Sequence, residues 1–182
     1  MGHSFDDLTR AYARHVALPW QAGLSPAERV WILWYDSALE LRVAAQTHQF
    51  ETATRAHGHG WSSLDLGSSF GRWIADQPYL DRLTRRPAEL GPLLPAFAEH
   101  VASVVASAAR PLTANDVLAL SGLGALFGLA SVSNLIERVA AAVPGRLLAI
   151  FPGSYTRGGY SLLDARESWN YHAIPIPPVS YI

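Results

Sequence analysis

Residues 29 to 36 read RVWILWYD, and this stretch decides the fold class of the chain. From Val30 to Tyr35 every residue is apolar or aromatic, without the alternation of polar and apolar residues that marks a strand with one face in water. An uninterrupted run of this kind is typical of a strand buried on both faces, as in a parallel sheet. The sequence therefore predicts a central parallel strand here, with helices covering both faces of its sheet.

Three further stretches have the length and composition of strands. They are WSSLDL at 61–66, DVLALSG at 116–122 and RLLAI at 146–150. Apolar residues recur at helical spacing between these stretches, and strands that alternate with helices favour right-handed crossovers and a parallel sheet. We therefore predict one Rossmann-like α/β domain over residues 1–182, with a mostly parallel sheet flanked by helices.

The C-terminal stretch FPGSYTRGGYSLLDARESWNYHAIPIPP, at 151–178, is dense in glycine, proline and aromatic residues. Its pattern suggests antiparallel strands joined by tight turns. We predict a turn at TRGG, a strand at YSLL, a short connection at DARES and a last strand within NYHAIPI. Together these segments predict a hairpin at the C-terminal edge of the sheet.

Composition excludes several classes of chemistry. The chain has 182 residues, 49% of them hydrophobic and 16% charged, with a net charge of −1, so no global basic field draws it to nucleic acid. It has no cysteine, which excludes disulfides, thiolate metal sites and cysteine nucleophiles and fits the cytoplasm. Its basic residues are all arginine, so lysine-dependent phosphate binding and Schiff bases are excluded. The most apolar region, at 117–136, is broken by glycines, so no membrane span is expected there.

A glycine-rich turn follows the third predicted strand, with Gly122, Gly124 and Gly128 in the spacing GxGxxxG. Glycines between a strand and a helix allow backbone N–H groups to approach a phosphate, which makes nucleotide binding by this turn the alternative function. The spacing is not GxGxxG, and no acidic residue follows at the distance that would hold a ribose. Tight turning and close helix–sheet packing explain the glycines equally well.

Two other sites are suggested less strongly. His48, His57 and His59, with Asp65 nearby in sequence, could bind a metal ion. However, the pair His57 and His59 straddles a glycine, and the sequence shows no obvious third ligand at a familiar spacing. Histidines near a helix C-terminus are also common. Ser154 is a serine in a turn without the GxSxG pattern of a hydrolase nucleophile. We expect neither a metal, nor a cofactor, nor a catalytic group.

Asp36 follows the first strand, where carboxylates of doubly wound proteins often act. A structural explanation is that Ser37 caps the next helix and Glu40 completes a capping box. We favour the capping explanation.

Arginine residues cluster in two places, which leaves a contact with DNA open. A solvated charged surface is the alternative explanation. The residues are Arg82, Arg85 and Arg86 in one segment and Arg157 and Arg166 in the C-terminal stretch.

Several motifs resemble those of the BrxB family, small proteins of the bacteriophage-exclusion (BREX) defence systems, over residues 29–176. An apolar strand ends in a Tyr-Asp pair, a later strand runs into a Gly-x-Gly segment and the helix VSNLIERV, and a last apolar strand ends in PGxY. Two departures are Ser37, where the family has proline, and Ser154, where it often has glutamate, so a catalytic role of that glutamate would fail here. The matching residues are Tyr35, Asp36, Gly122, Gly124, Pro152, Gly153, Tyr155, Leu162, Asn170 and Tyr171.

The resemblance implies a non-catalytic interaction or scaffold subunit of a phage-defence complex. The expected partners are a BrxC-like ATPase and a PglZ-like protein of the phosphatase fold, with DNA association only indirect. Such a subunit should expose an aromatic or apolar surface. The interaction candidates are Tyr35, Asp36, Pro152, Gly153, Tyr155, Trp169, Asn170 and Tyr171.

Overall fold

The structure is a computed structural model that describes residues 4–156, 159–162, 165–169 and 173–178. Strands and helices alternate through most of this part of the chain. The strands are β1 (Val30–Tyr35), β2 (Gly60–Asp65), β3 (Asp116–Ser121), β4 (Arg146–Pro152), β5 (Ser154–Thr156), β6 (Gly159–Leu162), β7 (Ala165–Trp169) and β8 (Ile174–Ile176). The α-helices are α1 (Phe5–Val16), α2 (Glu40–Gln46), α3 (His48–Ala56), α4 (Ser69–Ala75), α5 (Leu80–Arg85), α6 (Leu94–Ala109) and α7 (Val132–Ala140).

Five strands form one sheet in the order β2-β3-β4-β1-β8, and every neighbouring pair is parallel. The strand quoted first, β1, lies between two neighbours, with Leu33 paired to Ile150 of β4 and to Ile176 of β8. Five of its six residues are buried. The prediction of a Rossmann-like α/β domain with a parallel sheet is therefore confirmed.

Alternate residues of the central strands pack into two separate cores. Trp31 and Leu33 point to the core built with α1, α2 and α3, whereas Val30 and Ile32 point to the core built with α4, α6 and α7. Both faces of β1 are therefore covered, which is why its sequence shows no polar positions.

The C-terminal strands differ from the prediction in their placement. Strands β5, β6 and β7 form a separate antiparallel sheet, and β8 occupies the edge beside β1 in parallel orientation. The chain leaves the main sheet where β4 ends, at the point where Gly153 N–H donates to the Tyr35 carbonyl over 2.8 Å. The DARES segment, predicted as a connection, lies mostly within β7. A local pattern predicted the antiparallel strands but could not show which sheet they join.

One helical stretch among the described residues, Pro87–Ala109, is long and apolar enough to cross a membrane by length and composition alone. Its second part, α6, buries Phe97, Val101 and Val105 in the core on one face of the sheet. This helix therefore contributes apolar residues to the core of the domain.

Candidate functional site

The carboxyl ends of β1, β2, β3 and β4 surround a cavity of about 640 Å³, here called the carboxyl-edge crevice. The connection that leaves β1 runs to the face of α2 and α3, whereas the connection from β3 runs to the opposite face, where α7 packs. Parallel sheets bind ligands where their connections diverge in this way. The lining residues are Tyr35, Ser37, Glu40, Val43, Ala44, Thr47, Ser63, Asp65, Gly67, Ser121, Gly122, Gly124, Ala125, Ile150 and Pro152.

The acidic groups around this crevice already have hydrogen-bond donors within the chain. The buried Tyr35 hydroxyl donates to Glu40 Oε2 over 2.7 Å, and Asp65 Oδ1 accepts the Gly67 N–H over 2.9 Å. Burial, together with the Glu40 carboxylate, raises the pKa of Tyr35, so its hydroxyl stays a proton donor at neutral pH. Glu40 and Asp65 thus each accept a hydrogen bond from a neighbouring group of the chain.

The predicted capping box is wrong in its residues. Asp36 Oδ1, not Ser37, accepts the Ala38 N–H, over 2.9 Å, and it caps a 3₁₀ turn at Ser37–Leu39. Glu40 begins α2 and accepts the Tyr35 hydroxyl. The reason is that a short 3₁₀ turn precedes the α-helix and moves the cap one residue toward the strand.

The glycine turn after β3 packs closely against the loop after β2. Gly122 has a φ of +69°, and a Cβ on it would lie 2.3 Å from the Gly67 backbone N. A Cβ on Gly124 would lie 3.1 Å from Pro152 Cγ, whereas one on Gly128, at a φ of +72°, would meet nothing within 4 Å. Close packing thus requires glycine at the first position, and backbone conformation favours it at the third.

The turn does not lead directly into an α-helix, as the nucleotide hypothesis expects. A 3₁₀ turn at Leu123–Leu126 intervenes, and α7 begins later, at Val132, with its Asn134 N–H capped by the Ser131 hydroxyl over 3.3 Å. A helix N-terminus aimed at a phosphate is therefore missing from this turn. The charged side chains that line the crevice are Glu40 and Asp65, and both are acidic. They repel a phosphate unless a cation lies between the phosphate and the carboxylates.

A second cavity, of about 380 Å³, lies at the opposite end of the sheet, where β1 and β4 begin. We call it the amino-edge pocket. Its walls are mostly apolar and aromatic, and a single arginine lies among them. The lining residues are His15, Leu18, Pro19, Trp20, Gln21, Leu24, Glu28, Trp31, Arg146 and Ile174.

Arg146 is 5% exposed although it carries a charge. Its guanidinium lies 4.8 Å from the ring centre of Trp20 and 6.0 Å from that of Trp31, which are cation–π distances. Its Nη2 donates to the Gln21 carbonyl over 3.0 Å and its Nη1 to the Gly145 carbonyl over 3.4 Å. Burial, and secondly the Arg29 charge, lowers the pKa of Arg146.

Aromatic rings surround this arginine. The His59 ring stacks on Trp20 at 3.6 Å between centres, and the His15 ring meets Trp31 edge-on at 4.6 Å. Burial, and secondly the Arg146 charge, lowers the pKa of His15, so this ring is neutral at pH 7. Sequence reasoning missed the pocket, because Arg146 and Ile174 lie more than one hundred residues from the other lining residues, which fall between His15 and Trp31. The available signal was an arginine at the start of an otherwise apolar strand.

The remaining predicted residues do not converge on a site. No group of three His, Cys, Asp or Glu side chains able to hold a metal occurs in the part of the chain that the structure describes. His59 Nδ1 hydrogen-bonds Asn115 Oδ1 at 2.6 Å instead. In the arginine cluster, Arg82 and Arg86 both form ion pairs with Glu89, at 2.5 and 3.4 Å, which offsets part of their charge.

For most interaction candidates of the C-terminal stretch, the side chains lie outside the described part of the structure. Pro152 is buried in the crevice wall, and Gly153 is half-buried. Asp36 is exposed, whereas Tyr35 is only 2% exposed, so it can serve an interface only as part of that wall. The side chains of Tyr155, Arg166 and Trp169 lie outside the described part, as do Arg157, Asn170 and Tyr171 entirely.

Comparison with known proteins gives no relative for this chain. No protein-family model matches it. No curated protein matches it. No solved structure matches it. The BrxB resemblance therefore rests on the motifs quoted above and remains a prediction.

Proposed function

We propose that this protein is a non-catalytic interaction subunit of a cytoplasmic phage-defence assembly of the BREX type. The observation that carries the proposal is that the acidic groups of the carboxyl-edge crevice already accept hydrogen bonds from the chain itself. This crevice is the position where proteins of this fold usually place their chemistry, yet Glu40 accepts the Tyr35 hydroxyl and Asp65 accepts the Gly67 N–H, so both acidic groups are engaged by neighbouring groups of the chain.

Exposed apolar side chains on the segments that line the crevice support a protein-binding role. Leu41 is 86% exposed and directly follows Glu40, and Phe127 is 48% exposed and lies two residues after Ala125. We take these two side chains, together with the apolar residues of the crevice lining, as the interaction surface, since contiguous exposed apolar patches mark such surfaces. Because Glu40 and Asp65 line the same cavity, the fitting partner presents an apolar side chain next to arginine or lysine.

Co-purification tests this proposal. The protein is expressed with a BrxC-like ATPase and a PglZ-like protein from the same genome, and we expect at least one of them to be retained. Leu41→Asp and Phe127→Asp should abolish retention, because a buried carboxylate without a partner is costly. Leu18→Asp, at the opposite end of the sheet and 57% exposed, is the matched control and should retain the partner. A wild-type protein that stays solitary under native conditions contradicts the proposal.

The alternative is nucleotide binding, which the cavity volume and the backbone of Gly122 and Gly124 in its lining favour. Melting-temperature screens against ATP, NAD and cyclic dinucleotides, with and without Mg²⁺, separate the two functions, because a bound ligand raises the melting temperature. A rise that a bulky residue at Gly124 abolishes supports the alternative. The interaction proposal predicts no rise with any of these nucleotides.

A further inference from the structure

One buried donor of a residue that lines the amino-edge pocket lacks an acceptor. In the part of the chain that the structure describes, the buried side-chain polar atoms without a partner are Trp20 Nε1 and Arg29 Nε, and Trp20 lines the pocket. Native proteins rarely leave buried donors unpaired, so the Trp20 indole N–H, in a pocket that also contains the buried Arg146, indicates that an acceptor binds there.

The guanidinium of Arg146 has N–H donors that no described acceptor uses. A guanidinium has five N–H donors, and the two hydrogen bonds to the Gln21 and Gly145 carbonyls use two of them. No described carboxylate lies in ion-pair contact with it: Glu28, at the pocket lining, accepts the Ser25 N–H over 2.8 Å and the Ser25 hydroxyl over 2.7 Å. A buried positive charge of this kind normally has an anionic partner.

We propose that the amino-edge pocket binds a small monocarboxylate with an apolar or aromatic body. The planar fork of Arg146 and the indole N–H of Trp20 bind the carboxylate, because arginine suits the bidentate geometry of that group. The apolar body lies against Trp31, Leu24 and Ile174, within a volume of about 380 Å³, near the lower end of the range for small-ligand sites.

The lining disfavours a phosphate. A phosphate carries about two negative charges at neutral pH, and the Glu28 carboxylate in the lining repels such an anion more strongly than it repels a monocarboxylate. The mostly apolar walls offer few further donors for its remaining oxygens. This site is independent of the proposed interaction surface, which lies at the other end of the sheet, so either proposal can fail alone.

Nuclear magnetic resonance on the full ¹⁵N-labelled chain tests the site. Phenylacetate, its neutral analogue phenylacetamide and inorganic phosphate are titrated at constant ionic strength, and the six tryptophan indole N–H signals are followed. Trp20→Phe identifies the Trp20 signal. We expect this signal to shift saturably with phenylacetate. Phenylacetamide should bind at least about tenfold more weakly, because a charge-assisted hydrogen bond is worth at least that factor. Phosphate should also bind at least about tenfold more weakly, because it has no apolar body to bury against the pocket wall.

Two variants decide whether the pocket is the site. Leu18→Asp places a carboxylate on an exposed lining residue and should weaken phenylacetate binding about tenfold or more. Leu41→Asp, the matched control at the opposite end of the sheet, should leave it unchanged. Arg146→Gln should remove binding, and circular dichroism shows whether this variant is folded; if it is unfolded, Leu18→Asp decides alone.

Three outcomes overturn the proposal. One is a Trp20 signal that does not shift saturably with phenylacetate. Another is equal binding of phenylacetamide or phosphate, because neither carries a single carboxylate. The third is unchanged binding in the folded Leu18→Asp variant.

Discussion

At the carboxyl end of the sheet, each acidic group has a donor within the chain, and the lining carries negative charge. At the amino end, and among the described residues, a buried arginine uses two of its donors and Trp20 Nε1 has no acceptor. Folds of this class usually bind ligands at the carboxyl end. This difference is the basis of the two proposals, a protein partner at the carboxyl end and a small carboxylate at the amino end.

The largest effect is expected from the glycines of the carboxyl edge. Gly122→Ala should destabilise the protein by about 2–5 kcal/mol, because the methyl group overlaps the Gly67 backbone and the left-handed conformation is strained. Gly128→Ala, with a similar φ and open space, should cost only about 1–2 kcal/mol. Urea unfolding of both variants measures the difference. Equal losses would mean that the two loops are not tightly packed and that the crevice can reshape around a ligand.

A smaller loss is expected from Tyr35→Phe. This change removes the hydroxyl that donates to Glu40 and should cost about 1–3 kcal/mol, because the acceptor is a charged, partly buried carboxylate. Glu40→Gln keeps an acceptor for the hydroxyl and is the milder control. If Tyr35→Phe is as stable as the wild type, the acidic groups of the crevice are free to bind an outside ligand.

The pH dependence of stability tests the surroundings of His15 at the amino edge. Because the folded-state pKa of His15 is lowered from 6.5, the unfolded chain binds more protons as the pH falls. Its contribution to stability is therefore full above about pH 6.5 and is lost as the pH falls through the folded-state pKa. We expect the melting temperature to fall between pH 7 and pH 5, and less so in His15→Phe, which keeps a ring against Trp31. The exposed His100→Asn is the control, and an identical fall in all three proteins would contradict this account.

The smallest effects are expected at the two exposed leucines. Leu18→Asp and Leu41→Asp should each change the free energy of unfolding by less than about 0.5 kcal/mol, because exposed positions away from special features tolerate substitution. Thermal unfolding measures this, and a larger loss would disqualify that variant as a binding probe.

Sequence patterns predicted the main elements because those signals are local. The apolar run of β1 and the helical spacing of apolar residues between the strands can each be read within a short segment of the chain, and both were confirmed. The capping residue was missed by one position, because a 3₁₀ turn and the start of an α-helix look alike over four residues. The separate C-terminal sheet was missed because strand pairing depends on distant segments.

By itself, the sequence determined the fold class, the parallel sheet and the absence of cysteine and lysine chemistry. A run of consecutive apolar residues is enough to predict a strand buried on both faces, and composition is a count that needs no structure. Only the tertiary structure decided where the sites lie. It brought Trp20, Trp31 and Arg146 together across more than one hundred residues of chain, and it engaged Tyr35 with Glu40 at the other end. The reason is that cation–π contacts, burial of a charge and missing hydrogen-bond partners depend on which segments the sheet brings side by side.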